Sequence, residues 1–221
     1  GERIAAVADR DDFAWEFNVI ESDQKNAFCL PGGKVAVYEG IIPICDSEAG
    51  LAVVMSHEIA HALARHGGER MSQAMAKNAG GAAVDFVGRW WMEEDYENKR
   101  EVVQTAYGMA SEYGAILPYS RKHETEADLI GLRLMAKAGY DPREAPLFWE
   151  RFGGSKGGAA SWEFASTHPS DERRASDLRD NLTQAMELYE AAPQQYGKGE
   201  SVAVVESTNI TLPLMSDVRR Q

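Results

Sequence analysis

Apolar side chains recur every three or four positions between residues 47 and 66, which is the spacing of one helix face. The members of this apolar arc are Leu51, Val54, Met55, Ile59, Ala62 and Leu63. Asp46 or Ser47 can cap the first turn, and Glu48 suits the positive end of the helix dipole. The pattern therefore predicts an amphipathic helix across this segment.

Short apolar runs before this helix favour β-strands. Residues 13–20, 27–30 and 35–38 have strand character, and Pro31-Gly32-Gly33 forms a turn between the last two. Residues 2–10 look like the tail of a helix. We therefore expect a small meander directly before the amphipathic helix.

After residue 66 the pattern is helical along most of the chain. Gly139 ends a helix over 122–138, and Asp141 with Pro142 begins the next helix, which closes at 148–152. Other helices are predicted at 69–79, 82–91, 93–114 and 170 to about 191, a glycine-rich loop at 153–161, and a last strand at 200–212. The predicted fold class is α+β, mainly α, in a single domain over residues 1–221.

Composition limits the partners and the compartment. The 221 residues are 44% apolar and 26% charged, which is typical of globular proteins. The net charge of −12 argues against nucleic acid and anionic lipid surfaces as partners. The apolar runs of the sequence are too short to span a bilayer. The sequence starts at Gly1 without an initiator Met, which is consistent with removal of an N-terminal targeting segment.

The two cysteines leave two interpretations open. Cys29 and Cys45 flank the predicted hairpin and do not form a C-x-x-C pair, so a metal role is not indicated. They are either bridged in an oxidising compartment or both buried as thiols, and we favour the buried thiols.

Residues 57–61 read His-Glu-Ile-Ala-His, the H-E-x-x-H arrangement of zinc metallopeptidases. Two histidines four positions apart lie about 40° from each other around a helix, so both imidazoles can reach one metal ion. Glu58 follows the first histidine, where its carboxylate can take a proton from a water that the metal activates. The alternative is a helix with two ordinary histidines. His57 and His61 lie beside the apolar arc, at the margin of a core, where a ligand pair is expected.

A catalytic zinc site usually has three protein ligands. His66 is close in sequence but would lie about 180° from His57 on a continued helix, so we interpret it as a helix-end residue. Glu124 is the stronger candidate, because Glu124 and Asp128 share one face of a predicted helix. Glu124 can bind the metal while Asp128 accepts the N–H of a ligating histidine and fixes its orientation. The alternative for this segment is a solvated, charged helix face.

Five segments resemble peptidase family M48, zinc metallopeptidases that include the CAAX prenyl protease, the heat-shock membrane protease and the mitochondrial inner-membrane stress protease. They are residues 26–33, 57–61, 119–121, 124–128 and 167–169, in the family's order. The likeness spans roughly residues 14–180 and is greatest to the soluble bacterial envelope branch. It implies a zincin-like peptidase domain with a small sheet beside the metal-binding helix and one Zn²⁺ per chain.

The resemblance also implies a function. The chain would be a metalloendopeptidase that hydrolyses unfolded or damaged proteins in the bacterial envelope, in the periplasm, with Glu58 as general base. Related zinc peptidases hold the substrate as a strand added to a sheet edge, and the alternative here is a sheet that only covers the core. A purely structural zinc site is disfavoured, because such a site needs no base.

The resemblance places the loop of His168 over the metal. His168 either donates to the oxyanion or occupies the fourth position of zinc and holds the enzyme inactive. With His168 permanently on the metal, the alternative function is a catalytically silent, chaperone-like polypeptide-binding protein. We expect Tyr119 and Arg121 to face the cleft and His123 to be an exposed neighbour of the ligand.

Overall fold

The computed structural model describes residues 1–69, 119–154, 164, 168 and 172–203. The helices predicted at 69–79, 82–91 and 93–114, the loop at 153–161 and the strand at 200–212 lie wholly or largely outside the described residues. The helices are α1 (Glu2–Ala5), α2 (Ile42–Cys45), α3 (Glu48–Leu63), α4 (Arg121–Lys137), α5 (Glu144–Gly154), α6 (Glu172–Asp180) and α7 (Leu182–Glu190), and the strands are β1 (Glu16–Ile20), β2 (Ala27–Leu30) and β3 (Lys34–Tyr38). A 3₁₀ turn over Glu39–Ile41 leads into α2. The described fold is mainly helical with one small sheet, as the sequence predicts.

Helix α3 lies where the sequence predicts a helix, but it is buried on nearly every side and not on one face alone. Leu51, Ala62 and Leu63 of the predicted apolar arc are only half-buried. Ser47 caps its start, since its hydroxyl accepts a hydrogen bond from the backbone N–H of Gly50 at 3.2 Å. The helix ends at Leu63, and Arg65 then adopts a positive φ of 60°. This left-handed turn changes the direction of the chain, so His66 does not lie where a continued helix would carry it.

The sheet has the strand order β1-β3-β2, so the predicted meander is wrong. β2 and β3 form an antiparallel hairpin, but β1 pairs in parallel with β3. Residues 21–26 pass over the end of β3, where Ser22 and Asn26 accept backbone hydrogen bonds from Gly40 at 2.9 Å and Tyr38 at 3.0 Å. This link is long enough to cross two strand spacings of about 4.8 Å each, so it can skip one strand. β1 and β2 are therefore the edges of the described sheet, and β2 packs along α3.

Both ends of α4 are capped by residues that the sequence indicates. The Ser120 hydroxyl accepts a hydrogen bond from the backbone of the first turn at 3.2 Å. At the other end Gly139 has a φ of 87°, and the N–H groups of Gly139 and Tyr140 donate to the carbonyls of Ala136 and Met135, both at 2.9 Å. This pair of bonds is a Schellman motif, which confirms that Gly139 ends the helix.

Helices α3 and α4 approach each other closely at Gly131. A Cβ atom added at Gly131 would lie 3.1 Å from the backbone nitrogen of His57. A side chain at this position would hold the two backbones apart. The absence of one lets α4 lie directly against the part of α3 that carries His57.

The last predicted helix, over 170–191, is two helices in the structure. Asn181 separates α6 from α7 with a φ of −100° and a ψ of 0°. Its side-chain amide donates to the backbone carbonyl of Asp177 at 2.8 Å, and such a local bond competes with continuation of the helix. Ser170, the predicted cap, lies outside the described residues.

The apolar core lies between α3, the sheet and the helices α4 to α6. Its fully buried large side chains include Ile59 from α3, Met135 from α4, and Phe148 and Phe152 from α5. Among the residues that the structure describes, no helix combines the length and the apolar character needed to cross a membrane.

Both cysteines are free thiols in the structure. Cys45 is fully buried, as favoured from the sequence, and burial raises the pKa of its thiol to about 12. Cys29 on β2 is half-buried rather than fully buried. The chain therefore holds its sheet against α3 without a disulfide between these two residues.

Candidate metal centre

His57 and His61 lie one turn apart on α3 and point into the interior. Their exposed fractions are 1% and 2%, and their Nε2 atoms are 3.1 Å apart. Both rings turn the same nitrogen towards one point, because residues four apart share a helix face. The geometry brings the pair together as the motif predicts.

Glu124 reaches the same point from the first turn of α4. Its Oε2 atom lies 3.4 Å from His57 Nε2, and its Oε1 atom lies 3.4 Å from His61 Nε2. The side chain is 2% exposed, so this carboxylate is held among the two imidazoles and away from solvent. The close contact of α3 and α4 at Gly131 makes this approach possible.

His168 completes the group from the other side. Its Nδ1 atom lies 3.0 Å from Glu124 Oε1 and 3.2 Å from His57 Nε2. Its Nε2 atom lies 3.3 Å from the Oε1 atom of Glu58. His168 is 2% exposed and Glu58 is 3% exposed, so the two side chains meet inside the protein.

The four residues His57, His61, Glu124 and His168 offer one ligand atom each, all within 4.8 Å of one another. Five of the six pairs among these residues have donor atoms 3.0–3.4 Å apart, counting both carboxylate oxygens of Glu124. Zinc binds nitrogen and oxygen at 2.0–2.2 Å in a tetrahedron, whose corners are then about 3.3–3.6 Å apart. This set of four, called the donor cluster below, can hold one metal ion, and its three imidazoles and one carboxylate are donors of kinds that zinc accepts.

Asp128 lies behind the donor cluster, one turn after Glu124 on α4. Its Oδ1 atom is 3.0 Å from His57 Nδ1, the ring nitrogen that faces away from the cluster. A carboxylate in this place favours a proton on Nδ1, which leaves Nε2 free to bind a metal. The structure thus brings Asp128 beside His57, and its role in orienting that histidine stays a prediction.

Arg174, on α6, was missed by the sequence reasoning. Its Nε and Nη2 atoms each lie 2.7 Å from an oxygen of Asp128, in the bidentate arrangement typical of arginine with carboxylates. Its Nη1 atom lies 2.8 Å from Glu124 Oε2, an ion pair outside the alignment of a hydrogen bond. The guanidinium also stacks 3.5 Å from the ring centroid of Trp149 and is 5% exposed. One sequence signal could have indicated Arg174, because it lies four residues before Leu178 and so shares the apolar face of its helix. An arginine on such a face requires a buried partner.

The burial and the charges of the cluster shift its pKa values in different directions. Burial lowers the pKa of His57, but hydrogen bonds with Asp128 and Glu124 outweigh this effect and raise the pKa to about 9. Burial is the main cause that lowers the pKa of His61 well below its ordinary value, and burial also raises the pKa of Glu58. For Glu124, attraction to the surrounding histidines outweighs burial and holds the pKa far below the usual range of a carboxyl. Glu124 is therefore ionised, and it lies between His57, whose pKa is raised, and His61, whose pKa is lowered.

The other predicted neighbours of the site have mixed outcomes. The Tyr119 ring packs 3.9 Å from that of His61, centroid to centroid, so Tyr119 contacts the cluster, whereas Arg121 is exposed. The expectation of an exposed His123 is wrong, because its exposed fraction is 8% and its ring stacks on that of His66. His66 was interpreted as a helix-end residue, but it lies after the end of α3 and begins a further helical stretch over 66–69. It is not among the four residues of the donor cluster.

Comparison with known proteins confirms the family resemblance, with higher identity to relatives named as mitochondrial than to a bacterial one. The model of Peptidase family M48 matches residues 1–182. The chain is 40% identical over 189 residues to the mitochondrial metalloendopeptidase OMA1 of Schizosaccharomyces pombe, covering 83% of this chain and 51% of that protein. It is 34% identical over 179 residues to the human protein of that name, covering 80% of this chain and 34% of that protein. It is 28% identical over 190 residues to the beta-barrel assembly-enhancing protease of Escherichia coli, covering 83% of this chain and 38% of that protein. The chain thus spans about half or less of the length of these relatives. On the family match over most of its length, together with the metallopeptidase relatives, the chain belongs to peptidase family M48.

Proposed function

We propose that this chain, as one domain over residues 1–221, is a zinc-dependent metalloendopeptidase that hydrolyses peptide bonds in polypeptides. The observation that carries the proposal is the donor cluster, four buried groups of kinds that zinc accepts, with donor atoms within 4.8 Å of one another. His57, His61 and Glu124 hold one Zn²⁺ per chain. Bound zinc would polarise the scissile carbonyl and make a water acidic enough to attack at neutral pH.

Glu58 is the general base in this proposal. It takes the proton of the attacking water and passes it to the leaving amine. Its carboxylate is 3% exposed and lies beside His57, and burial raises the pKa of Glu58. A raised pKa supports the role, because a base that must later act as an acid works best near the operating pH. Asp128 keeps the proton of His57 on Nδ1 and so keeps Nε2 available to the metal.

His168 has two candidate roles, and its contacts favour one of them. Its Nδ1 atom lies among the donor atoms and its Nε2 atom contacts Glu58, so it lies where a water and a substrate carbonyl would have to enter. This arrangement supports a gate, in which His168 takes the fourth position and must leave before catalysis. An oxyanion donor would instead stand beside the substrate and leave that position open. A gate that never opens gives the alternative function, a chaperone-like polypeptide-binding protein.

The edge of the sheet supports an extended polypeptide as substrate. β2 is an edge of the described sheet and packs along α3, the helix that carries His57, Glu58 and His61. A peptide laid along that edge would gain backbone hydrogen bonds regardless of its sequence, which suits unfolded chains. The sequence-based proposal is that the substrates are unfolded or damaged envelope proteins in a bacterial periplasm. The beta-barrel assembly-enhancing protease of Escherichia coli supports a bacterial protease. The relatives named as mitochondrial support a mitochondrial location instead.

The test compares wild-type protein with Glu58→Gln, measuring zinc content and casein cleavage on the same samples. We expect Glu58→Gln to keep its zinc and lose cleavage by at least about a hundredfold, since general-base catalysis contributes 10²–10⁴-fold. The matched control is Glu150→Gln, because Glu150 is a partly exposed glutamate on α5 that pairs with Arg179, and it should cleave like wild type. Zinc without cleavage in the wild type would favour the polypeptide-binding alternative.

A second variant separates the roles of His168. His168→Ala should cleave casein faster than wild type if His168 is a gate, because the fourth position is then open. Slower cleavage with unchanged zinc content would support an oxyanion donor instead.

A further inference from the structure

His66 lies at the outer side of His61, although it is not part of the donor cluster. It is 2% exposed, and its Nδ1 atom is 3.0 Å from the Nδ1 atom of His61. The Nε2 atom of His61 is the one that faces His57 and Glu124. The two rings therefore meet through the nitrogen of His61 that is not available to the metal.

The contact allows one arrangement of protons when His61 binds a metal. Its Nε2 atom must then be unprotonated, so the proton of the neutral ring is on Nδ1. That N–H points at His66 Nδ1, which must accept the hydrogen bond. The proton of His66 is then on Nε2, and this atom lies 3.4 Å from Glu126 Oε2. Each of the three groups has a partner of the right kind in this arrangement.

The backbone is shaped to produce this contact. Helix α3 ends at Leu63, and Arg65 adopts a φ of 60°, a left-handed conformation that is unfavourable for a residue with a side chain. This turn is what folds His66 back under His61. A strained residue persists only where its surroundings hold it, and here it delivers a buried ring to a ligand of the donor cluster.

Aromatic neighbours hold both rings in position. The His66 ring stacks on the His123 ring at 4.4 Å between centroids and 20° between planes. The His123 Nε2 atom in turn lies 3.1 Å from Glu69 Oε2. His61 is covered by Tyr119 at 3.9 Å. The orientation of the His66 acceptor towards His61 is therefore fixed from two sides.

We propose that His66 is a positioning residue, which accepts the Nδ1–H of His61 and so fixes the tautomer and orientation of that metal ligand. It does for His61 what Asp128 does for His57, but with a neutral acceptor in place of a carboxylate. The inference rests on the proposed zinc centre. Loss of such a partner commonly weakens metal affinity 10- to 100-fold.

The test compares His66→Asn with His66→Leu, two side chains of nearly equal size and shape. The Asn Oδ1 atom is three bonds from Cα, like the Nδ1 atom of histidine, so it can accept the same hydrogen bond, whereas leucine cannot. We expect zinc affinity, measured by competition with a chromogenic chelator, to fall about 10- to 100-fold in His66→Leu and less than about threefold in His66→Asn. Thermal unfolding of the zinc-free variants, which should be similar, checks that both fold.

A spectroscopic readout tests the hydrogen bond itself. In zinc-loaded wild-type protein with ¹⁵N-labelled histidine, the bond from His61 Nδ1–H to His66 Nδ1 should give a ¹⁵N–¹⁵N coupling across it. Absence of that coupling, or equal zinc affinity in His66→Leu and wild type, would overturn the inference while leaving the zinc centre intact. An equal loss in folded His66→Asn and His66→Leu would also overturn it, because ring packing would then be the cause. Wild-type protein that binds no zinc would instead refute the proposed function.

Discussion

Replacing Arg174 tests whether the charges behind the donor cluster are as interdependent as the distances indicate. Arg174→Met removes the guanidinium while keeping an unbranched side chain of similar length. Asp128, 7% exposed, and Glu124, 2% exposed, then lose the cation that lies 2.7 and 2.8 Å from their oxygens. Removing one partner of a buried ion pair typically costs about 3–5 kcal/mol when the remaining charge is left without compensation. His57, whose pKa is raised to about 9, lies 3.0 Å from Asp128 and 3.4 Å from Glu124 and keeps part of that compensation, so the lower end of this range is expected here.

The assay is urea unfolding of the metal-free protein in excess chelator. Chelation matters, because a bound cation would itself compensate Glu124 and mask part of the loss. We expect Arg174→Met to reduce the free energy of unfolding by about 3 kcal/mol, read from the shift in midpoint at unchanged slope. The free energy of unfolding of Arg174→Lys should lie between those of the wild type and Arg174→Met. Lysine keeps the positive charge but loses the bidentate guanidinium contact with Asp128.

The chain offers a matched control in a second arginine–aspartate pair. Arg143 contacts Asp141 at 2.6 Å, but the Arg143 side chain is 62% exposed. The Asp141 side chain is 8% exposed, but it keeps a hydrogen bond from the backbone N–H of residue 143 at 3.0 Å, and the guanidinium it loses is largely in solvent. Arg143→Met should therefore shift the midpoint much less than Arg174→Met. A loss below about 1 kcal/mol for Arg174→Met, or an equal shift in both variants, would refute the claim that Arg174 compensates a buried charge.

Two further predictions concern the histidine ligand and the helix contact. Because the pKa of His57 is raised from 6.5 to about 9, the protonated ring stabilises the metal-free fold fully below pH 6.5, and this contribution is lost as pH rises through 9. Zinc must displace that proton from His57 when it binds. Titration calorimetry at pH 7.5 in buffers of different ionisation enthalpy should therefore report release of about one proton per zinc. No proton release would contradict the raised pKa of His57. Gly131→Ala should destabilise the protein by roughly 1 kcal/mol in urea unfolding, since overpacking at 3.1 Å from the backbone of His57 outweighs the better helix propensity of alanine. A stabilised Gly131→Ala variant would mean that α3 and α4 can separate freely.

Local features of this chain were predictable from sequence because their causes are local. The Ser47 cap, the Schellman ending at Gly139 and the facing pair His57 and His61 each depend on residues within one or two helical turns. Glu124 was predicted as a ligand because a zinc site with two histidines needs a further one, and the structure places it beside both histidines. The number of ligands that zinc requires connected residues 57–61 with residue 124, which the pattern of apolar and polar positions does not do.

The features that the sequence did not predict depend on distant parts of the chain. The parallel pairing of β1 with β3 is set by how residues 21–26 cross the sheet, which no strand pattern encodes. The position of His66 depends on a left-handed conformation at Arg65, and arginine gives no signal for it. Arg174 meets Asp128 from 46 positions away, so its role is visible only once α6 is packed against α4. His66 and Arg174 lie around the donor cluster, and their contacts are set by tertiary packing, which the sequence pattern does not show.

The central claim is that His57, His61 and Glu124 hold one catalytic zinc ion. The most direct test is the zinc content per chain of purified wild-type, His57→Ala and Glu124→Ala protein, measured by mass spectrometry beside casein cleavage, with Glu150→Ala as a surface control. We predict about one zinc per chain in the wild type and the control, and loss of zinc together with cleavage in the other two variants. Zinc retained in Glu124→Ala would contradict the claim, because the third ligand would then be a different residue.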